Sequence, residues 1–335
     1  MRQWRCIGLA VAALGAIQVA RADATPVSAP APIHVARGVW MIPGGILPNR
    51  EPDGNSVIFE APDGLIVVDT GRHDWHREAI LSLARTLNRK VVAIINSHWH
   101  LDHVSGNPAL RAAYPELRVY ASNGIDRALT GFLASSAKEE AGYLDDPRVP
   151  VETREDIRGD ISTIKNGAAL RPDIVIAASG PLTIGGRTLR LNLAENAATA
   201  GDVWLFDEKS HVVVLGDLVT LPAPFLDTAC PDGWNTALAH VAATTFKTAI
   251  PGHGAPMTHA QFLLYREAFG AFIDCAASAT PKDKCASHWA NSVQPLLAQG
   301  SQEGQRAKEI AAYYVDMLRA NGGRSKYCAS PRSGP

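Results

Sequence analysis

The chain has 335 residues, is 46% hydrophobic and carries a formal charge of −1. That composition supports a substantial core, in one large domain or two small ones. The near-neutral balance gives no electrostatic case for binding nucleic acid.

The first two dozen residues differ from the rest. Arg2 and Arg5 precede the apolar run Cys6 to Val19, and Ala20-Arg21-Ala22 puts small residues at the two positions a signal peptidase reads. We expect a secretory signal over residues 1–22, cut after Ala22, because the run is well short of the ~20 residues that span a bilayer. The mature chain then has no stable membrane anchor and is secreted, into the periplasm if the source is a Gram-negative bacterium. With Cys6 gone, Cys230, Cys275, Cys285 and Cys328 remain. An even count in an oxidising compartment predicts two disulfides, with three pairings open. Cys275 and Cys285 flank a short Pro-containing segment and form the natural local pair, leaving Cys230 for Cys328. A zinc-cysteine cluster is the rival, and no Cys-x-x-Cys spacing supports it.

A Pro/Ala-rich leader occupies residues 23–34. Short β-like runs follow at Val35 to Pro43, Ser56 to Ala61 and Leu65 to Asp69, with Asp63-Gly64 as a tight turn, and together they describe an antiparallel meander. His76 to Leu87 has helical periodicity, Val91 to Asn96 is a continuous apolar run ending in a polar loop, and Pro108 to Tyr114 reads as a short helix. Arg118 to Ala121 is a further strand, followed by a charged helical middle from Ile125 to Lys165 that Asp145-Asp146-Pro147 interrupts.

Strands return at Ile174 to Ala177, Leu182 to Ile184, Arg187 to Leu193, Val203 to Phe206 and His211 to Leu215, with Gly185-Gly186 as a hairpin turn. Thr236 to Ala243 is helical, Thr248 to Ile250 is a short strand, and Pro251-Gly252-His253-Gly254 is a loop. Beyond Thr258 the chain is mostly helical, including Glu309 to Leu318. The meander-then-helix order recurs in the two halves. Two sheets face to face with helices outside is the economical architecture, because it buries the apolar faces of both.

Chemistry concentrates in Ser97-His98-Trp99-His100-Leu101-Asp102-His103, which holds three of the eleven histidines. In extended backbone, residues two apart share a side, so His98, His100 and Asp102 converge just beyond the strand Val91 to Asn96. His103 breaks that period and faces a second point nearby. Trp99 points away and packs into the core. Neutral imidazole and carboxylate suit Zn²⁺, and they serve iron and manganese as well. The alternative is a solvated loop that happens to be rich in histidine.

His98-x-His100-x-Asp102-His103 resembles the metal-binding signature of the metallo-β-lactamase superfamily. In the same order, Asp69-Thr70-Gly71 looks like the superfamily's early Asp-x-Gly turn, Gly216-Asp217 like its metal-bridging aspartate, and Pro251-Gly252-His253-Gly254 like its last histidine loop. The resemblance covers about Val35 to Met257, making 35–257 a metallo-β-lactamase-like domain and 258–335 a C-terminal helical extension. It implies an α/β fold, a four-layer αβ/βα sandwich of two mixed sheets with outer helices and metals at the sheet edge. It also assigns His98 and His100 to a first metal, Asp102, His103 and His253 to a second, and Asp217 to a bridge. Taken singly, Asp217 reads as a turn residue and His253 as a loop histidine; it is the first motif beside them that favours ligation. Asp69 is expected behind the ligands, accepting hydrogen bonds that orient them.

One ligand is missing. Superfamily members usually supply a further histidine to the first metal just before a Gly-Asp or Gly-Asn pair, and Leu193 to Asp202 contains none. Counting back from Gly201, Ala198 holds that slot; with a two-residue shift, Asn196 does. Alanine does not coordinate, and an amide oxygen is a weak zinc ligand beside imidazole. We therefore expect one tightly bound Zn²⁺ and a second that is weak or absent, with Asn196 or Glu195 a partial substitute.

The resemblance implies metal-assisted hydrolysis of a small-molecule carbonyl substrate of the β-lactam, lactone or thioester class. Asp102 then has a second, catalytic role, orienting the nucleophile or passing a proton to the leaving group. Phosphodiesters are also substrates of similar proteins. Some relatives are accessory proteins around periplasmic quinoprotein dehydrogenases, and the His-Trp-His-x-Asp-His form with a secretory signal is compatible with them. That makes the second expectation a periplasmic metal-binding accessory protein, weakly active or non-hydrolytic, with a protein partner. Leu218 to Asp227 is a pocket wall or a core-facing connection, and the loop Gly44 to Gly54 is placed to overhang the metals.

Overall fold

Two mixed β-sheets stack face to face. The computed structural model describes residues 29–300 and 302–328, so the expected signal and its cleavage after Ala22 lie outside the described residues. The first sheet runs in chain order: β1 (Ile33–Ala36), β2 (Val39–Ile42), β3 (Ser56–Ala61), β4 (Gly64–Val68), β5 (Val91–Ile95), β6 (Arg118–Ala121) and β7 (Ile174–Val175). Its first four strands are antiparallel; β4, β5, β6 and β7 are parallel. The second contains β8 (Gly180–Ile184), β9 (Arg187–Ala194), β10 (Asp202–Asp207), β11 (Val212–Val214), β12 (Thr248–Ile250) and β13 (Met257–Thr258), in spatial order 13-12-11-10-9-8. There β11 and β12 are the parallel pair.

The helices are α1 (Asp74–Thr86), α2 (Leu101–Val104), α3 (Asn107–Ala113), α4 (Gly124–Thr130), α5 (Phe132–Ala141), α6 (Val151–Lys165), α7 (Pro231–Ala242), α8 (His259–Ala277), α9 (Lys282–Val293) and α10 (Glu303–Ala320). The expected elements are present, with two local differences. Val35 to Pro43 is not one strand: Gly38, at φ 65°, turns the chain between β1 and β2. A helical turn, α2, also interrupts the histidine loop. Among the described residues no helix is long and apolar enough to cross a membrane.

Strand alternation explains why the central strands read as unbroken apolar runs. In β4, Ile66 and Val68 enter the core between the sheets, while Leu65 and Val67 meet Ile80, Leu83 and Ala84 of α1 on the outer face. In β10, Val203 and Leu205 face inward and Trp204 and Phe206 face the outer helices. A strand covered on both faces has no solvent side, so no polar alternation is needed. Helices α7 to α10 form one cluster with the outer face of the second sheet, built on Trp234, Tyr265, Phe269, Phe272, Trp289 and Tyr314. Thr258 starts α8 with a capping box: Gln261 N donates to its hydroxyl at 3.3 Å and its own N–H donates to Gln261 Oε1 at 2.8 Å. Cys275 is bonded to Cys285 and Cys230 to Cys328.

One buried cation crosses between the sheets. Arg187 of β9 pairs with Asp207 of β10 through Nη2 at 2.6 Å and Nε at 3.2 Å, and its Nη1 donates to the carbonyls of Glu60 at 2.7 Å and Gly38 at 3.1 Å. Its guanidinium lies 4.9 Å from the centre of the Phe59 ring. Removing one partner of such a pair strands the other charge. Asp207→Ala is expected to lower the unfolding free energy by roughly 3 kcal/mol in urea titration; a loss under about 1 kcal/mol, typical of surface pairs, would refute a buried cross-sheet role.

Candidate metal centre

β4 and β5 of the first sheet and β11 and β12 of the second, each a parallel pair, end at the same edge of the sandwich. Asp69 follows β4, the His98 to His103 loop follows β5, Asp217 follows β11 and His253 follows β12. Backbone bonds join these loops across the edge: Val203 N to Ser97 O at 2.6 Å, Gly252 N to Gly216 O at 2.7 Å, and Asn55 N to Gly252 O at 2.7 Å.

All six residues assigned as ligands meet here and are buried. His103 Nε2 lies 3.2 Å from Asp217 Oδ1 and 3.5 Å from Asp102 Oδ2; His253 Nε2 lies 3.0 Å from Asp102 Oδ2 and 3.5 Å from Asp217 Oδ1. His98 Nε2 and His100 Nδ1 stand 3.6 and 3.9 Å from Asp217 Oδ2. Two sets have donors within 4.8 Å of one another: His98, His103 and Asp217, and Asp102, His103 and His253. Simple alternation does not produce this. After His100, at φ −61° and ψ 145°, the chain enters the helical turn α2, which swings His103 back onto Asp217 instead of away. His103 thus belongs to both sets, and Asp217 stands between the two halves.

Hydrogen bonds behind the ligands decide which ring nitrogens face inward. Ser97 Oγ donates to Asp69 Oδ2 at 2.6 Å, so it accepts from His98 Nδ1 at 2.9 Å. Asp69 Oδ2 also accepts from His103 Nδ1 at 2.8 Å. Thr228 Oγ1 donates to the Ala198 carbonyl at 2.8 Å and therefore accepts from His100 Nε2 at 3.1 Å. Each outward nitrogen carries the proton, which leaves the lone pairs of His98 Nε2, His100 Nδ1 and His103 Nε2 turned inward. The first two lie 2.9 Å apart. Two lone pairs at that separation repel unless positive charge sits with them. Among the described residues, Asp217 Oδ1 is buried with no hydrogen-bond partner. This donor set fits a divalent cation.

Electrostatics agree. Burial, His103 and His100 drive His98 well below the usual histidine range, keeping it neutral. Asp217, Asp102 and Asp69 outweigh burial and push His103 well above that range, so these carboxylates call for positive charge at its inner nitrogen, either a proton or a metal ion in its place. Burial opposes ionisation of Asp217, yet His103, His253 and His98 hold it well below the usual carboxylate range. Two glycines let the backbone come this close. A Cβ on Gly252 would lie 2.1 Å from Asp217 Oδ1, and one on Gly54 would lie 2.4 Å from the His103 ring.

Around Ala198 the expected histidine is replaced by backbone: its side chain is buried and its carbonyl holds Thr228. Asn196 lies with its carbonyl and Cβ against Gly233 of α7, and among the described residues its side-chain amide has no hydrogen bond to any of the six. Trp99 packs with Leu101, Val104, Ile125 and Leu133. Nothing in the chain order singled out Ser97 or Thr228; only the hydroxyl's place next to the histidine does so.

The loop from Gly44 to Gly54 lies against the centre through Gly54 N, which donates to Asp102 O at 3.0 Å. A network the sequence did not reveal ties this loop down. Asp53 accepts from the backbone N–H groups of Arg72 and His73 and pairs with His73 Nδ1 at 2.8 Å. Asp156 of α6 lies 3.3 Å from His73 Nε2 and 2.7 Å from Arg50. Against the effect of burial, His73 and His76 hold the Asp53 carboxyl down to about 2. Asp156 and Asp53 push His73 up, again against burial.

The sequence profile of the metallo-beta-lactamase superfamily matches residues 50–253. The chain belongs to the metallo-beta-lactamase superfamily. A linear primary-alkylsulfatase from Pseudomonas sp. (strain ATCC 19151) is 24% identical over 223 residues, 60% of this chain and 41% of that protein, so the chain spans well under two thirds of its length. A hydroxyacylglutathione hydrolase from Synechococcus sp. is 46% identical over 50 residues, 15% of this chain and 19% of that protein. Among solved structures, the sec-alkylsulfatase Pisa1 from Pseudomonas sp. superposes with a TM-score of 0.59 at 17% identity, covering 86% of this chain and 50% of that one. A metallo-beta-lactamase family protein from Thermus thermophilus gives 0.57 at 17% identity, covering 86% and 95%. These likenesses are to the fold.

Two outcomes are expected. Gly252→Ala displaces the Asp217 carboxylate, so the purified variant should keep its circular dichroism and bind metal at least about tenfold more weakly by competition with a chelator; unchanged affinity would show that the close approach is dispensable. The His73 contribution is full below its unfolded pKa of about 6.5 and is lost as pH rises through its raised folded value. Asp53 adds its share above about 3.9, losing it only as pH falls through about 2. The melting temperature gap between wild type and His73→Gln should therefore be widest near pH 5 to 6 and narrow as pH rises above about 6.5. A gap independent of pH would show that the clamp is not ionic.

Proposed function

We propose that the protein is a secreted, zinc-dependent hydrolase acting on a small-molecule carbonyl substrate of the β-lactam, lactone or thioester class. The observation that carries this reading is the set of three histidines whose inner lone pairs face two buried carboxylates. The superfamily match and the hydrolase relatives support the reaction type. Two disulfides support an oxidising compartment.

His98, His100, Asp102, His103, Asp217 and His253 would hold the metal. When bound, a divalent ion polarises the scissile carbonyl and lowers the pKa of water. The chain's own groups do the rest. Asp69, through Ser97 and His103, keeps two ligands in the required tautomer, and Thr228 does so for His100. Asp102 presents an ionised carboxylate beside His253, placed to orient the attacking water and to pass its proton to the leaving group. His103 and His253 sit with Asp102 and Asp217 as a four-donor half, whereas His98 and His100 bring no carboxylate of their own and share Asp217 and His103 with it. The first half binds tightly and the second weakly.

The gap at Ala198 favours one rival specifically: a non-hydrolytic metal-binding accessory protein with a periplasmic partner. Metal content and turnover separate the two. The zinc-loaded protein should hold about one ion per chain and hydrolyse a chromogenic β-lactam, a lactone or a thioester, with alkyl sulfate as a further arm. His103→Ala should cut turnover by about 100-fold or more, and Ala198→His should raise metal content towards two. Bound zinc with no turnover on any of the four substrates would replace the hydrolase reading with the accessory one.

A further inference from the structure

One side of the centre is aromatic. Phe225 meets the edge of the His100 ring with centroids 5.0 Å apart; Phe132 stands edge-on to Phe225 at 6.1 Å and 6.4 Å from His100; Tyr327 closes on Phe132 at 5.3 Å. The three come from distant places: the start of α5, the Pro-containing stretch after Asp217, and the C-terminal tail. Each is only partly buried, whereas Trp234, Phe262, Phe269 and Trp289 in the core are at 0% exposure. Partly exposed rings grouped beside a candidate metal ligand keep apolar surface that a bound molecule can cover.

The tail is fastened to reach this position. Cys328 is bonded to Cys230 across 98 residues. Ser325 N donates to Ala229 O at 3.2 Å, the Ser325 hydroxyl donates to Asp227 O, and Tyr327 N donates to the Ser325 hydroxyl at 3.0 Å. The disulfide and both Ser325 bonds fall on Asp227 to Cys230, the stretch that also carries Thr228 and follows Phe225. Holding Tyr327 therefore goes together with holding the partner of His100. Lys326 lies over one face of the Tyr327 ring, its Nζ 4.8 Å from the centre, and the ring stays only partly buried between it and Phe132.

We infer that Phe132, Phe225 and Tyr327 form the subsite for an apolar acyl or aryl group of the substrate, and that the Cys230–Cys328 bond completes it by stapling Tyr327 in place. The subsite rests on the hydrolase reading only in that the scissile group is put at the metal centre. Large aromatic side chains supply apolar area with fixed shape, and none of the three rings carries a charge that would recognise a polar substituent.

The test is binding of butyrate and decanoate to the zinc-loaded full chain by isothermal titration calorimetry, with metal content measured for each variant. Six added methylenes, partly buried, should make decanoate about 30-fold tighter than butyrate. Tyr327→Ala and Phe132→Ala should reduce that ratio to about threefold with metal content unchanged. Cys328→Ser, which frees the tail, should match Tyr327→Ala. Equal affinity for the two acids in the wild type, or an undiminished ratio in the ring variants, overturns the subsite. A ratio kept in Cys328→Ser but lost in Tyr327→Ala overturns the role of the cross-link. Failure of the hydrolase reading has a different signature: the chain-length preference persists with no turnover on any ester. Failure of the subsite alone leaves turnover of short-chain substrates intact.

Discussion

Burying the carboxylates of Asp102 and Asp217 side by side at the edge of the sandwich is costly unless positive charge is buried with them. Both are almost wholly removed from water, at 7% and 3% exposure. The surrounding structure answers that demand. Of the four loops that meet here, the one after β5 brings three imidazoles and the one after β12 a fourth. The two glycine contacts let the backbone close in. Asp69, in the left-handed region at φ 59°, turns its carboxylate to receive Ser97 and His103 together. Asp tolerates that backbone conformation better than most residues. A cation at this spot resolves the repulsion of the inward lone pairs and satisfies Asp217 Oδ1 in one step.

The half of the centre that lacks its usual histidine is not simply vacated. Backbone and a hydroxyl stand in the space: the Ala198 carbonyl holds Thr228, and Thr228 holds His100. The His100 ring is thus kept in the tautomer a metal requires even though its partner ligand has gone. The same stretch is bonded to the C-terminal tail through Cys230 and Cys328, so the orientation of His100 and the disulfide share one short segment of chain. On the opposite flank, the loop Gly44 to Gly54 is held to α1 and α6 through ionic contacts of Asp53, His73, Arg50 and Asp156. One flank is apolar and covalently fixed, while the other is ionic.

Superfamily membership leaves the substrate open, because one fold hosts many chemistries. Hydrolysis of sulfate esters and of acylated glutathione is named among the relatives, and the groups that discriminate between substrates lie outside the shared ligand motif. In this chain the three half-buried rings and the two flanking loops are what surround that motif.

Much of this was legible in the order of residues. Apolar runs and turn residues marked most strands, because side-chain alternation and glycine turns are written within a few positions. Imidazole and carboxylate types at Asp69, His98 to His103, Asp217 and His253 marked the centre, because coordination chemistry restricts which residues serve. Alternation misplaced His103, since the local gain of a helical turn at Leu101–Val104 overrode extended geometry. The tertiary structure alone decided that Thr228 would support His100 from 128 residues away, that Asp53 would meet His73 and Asp156, and that Tyr327 would stand beside Phe132. Those residues look like any threonine, aspartate or tyrosine in a loop. Their roles come from distance in space, which periodicity along a chain does not encode, whereas a strand or a metal-binding loop shapes its sequence locally.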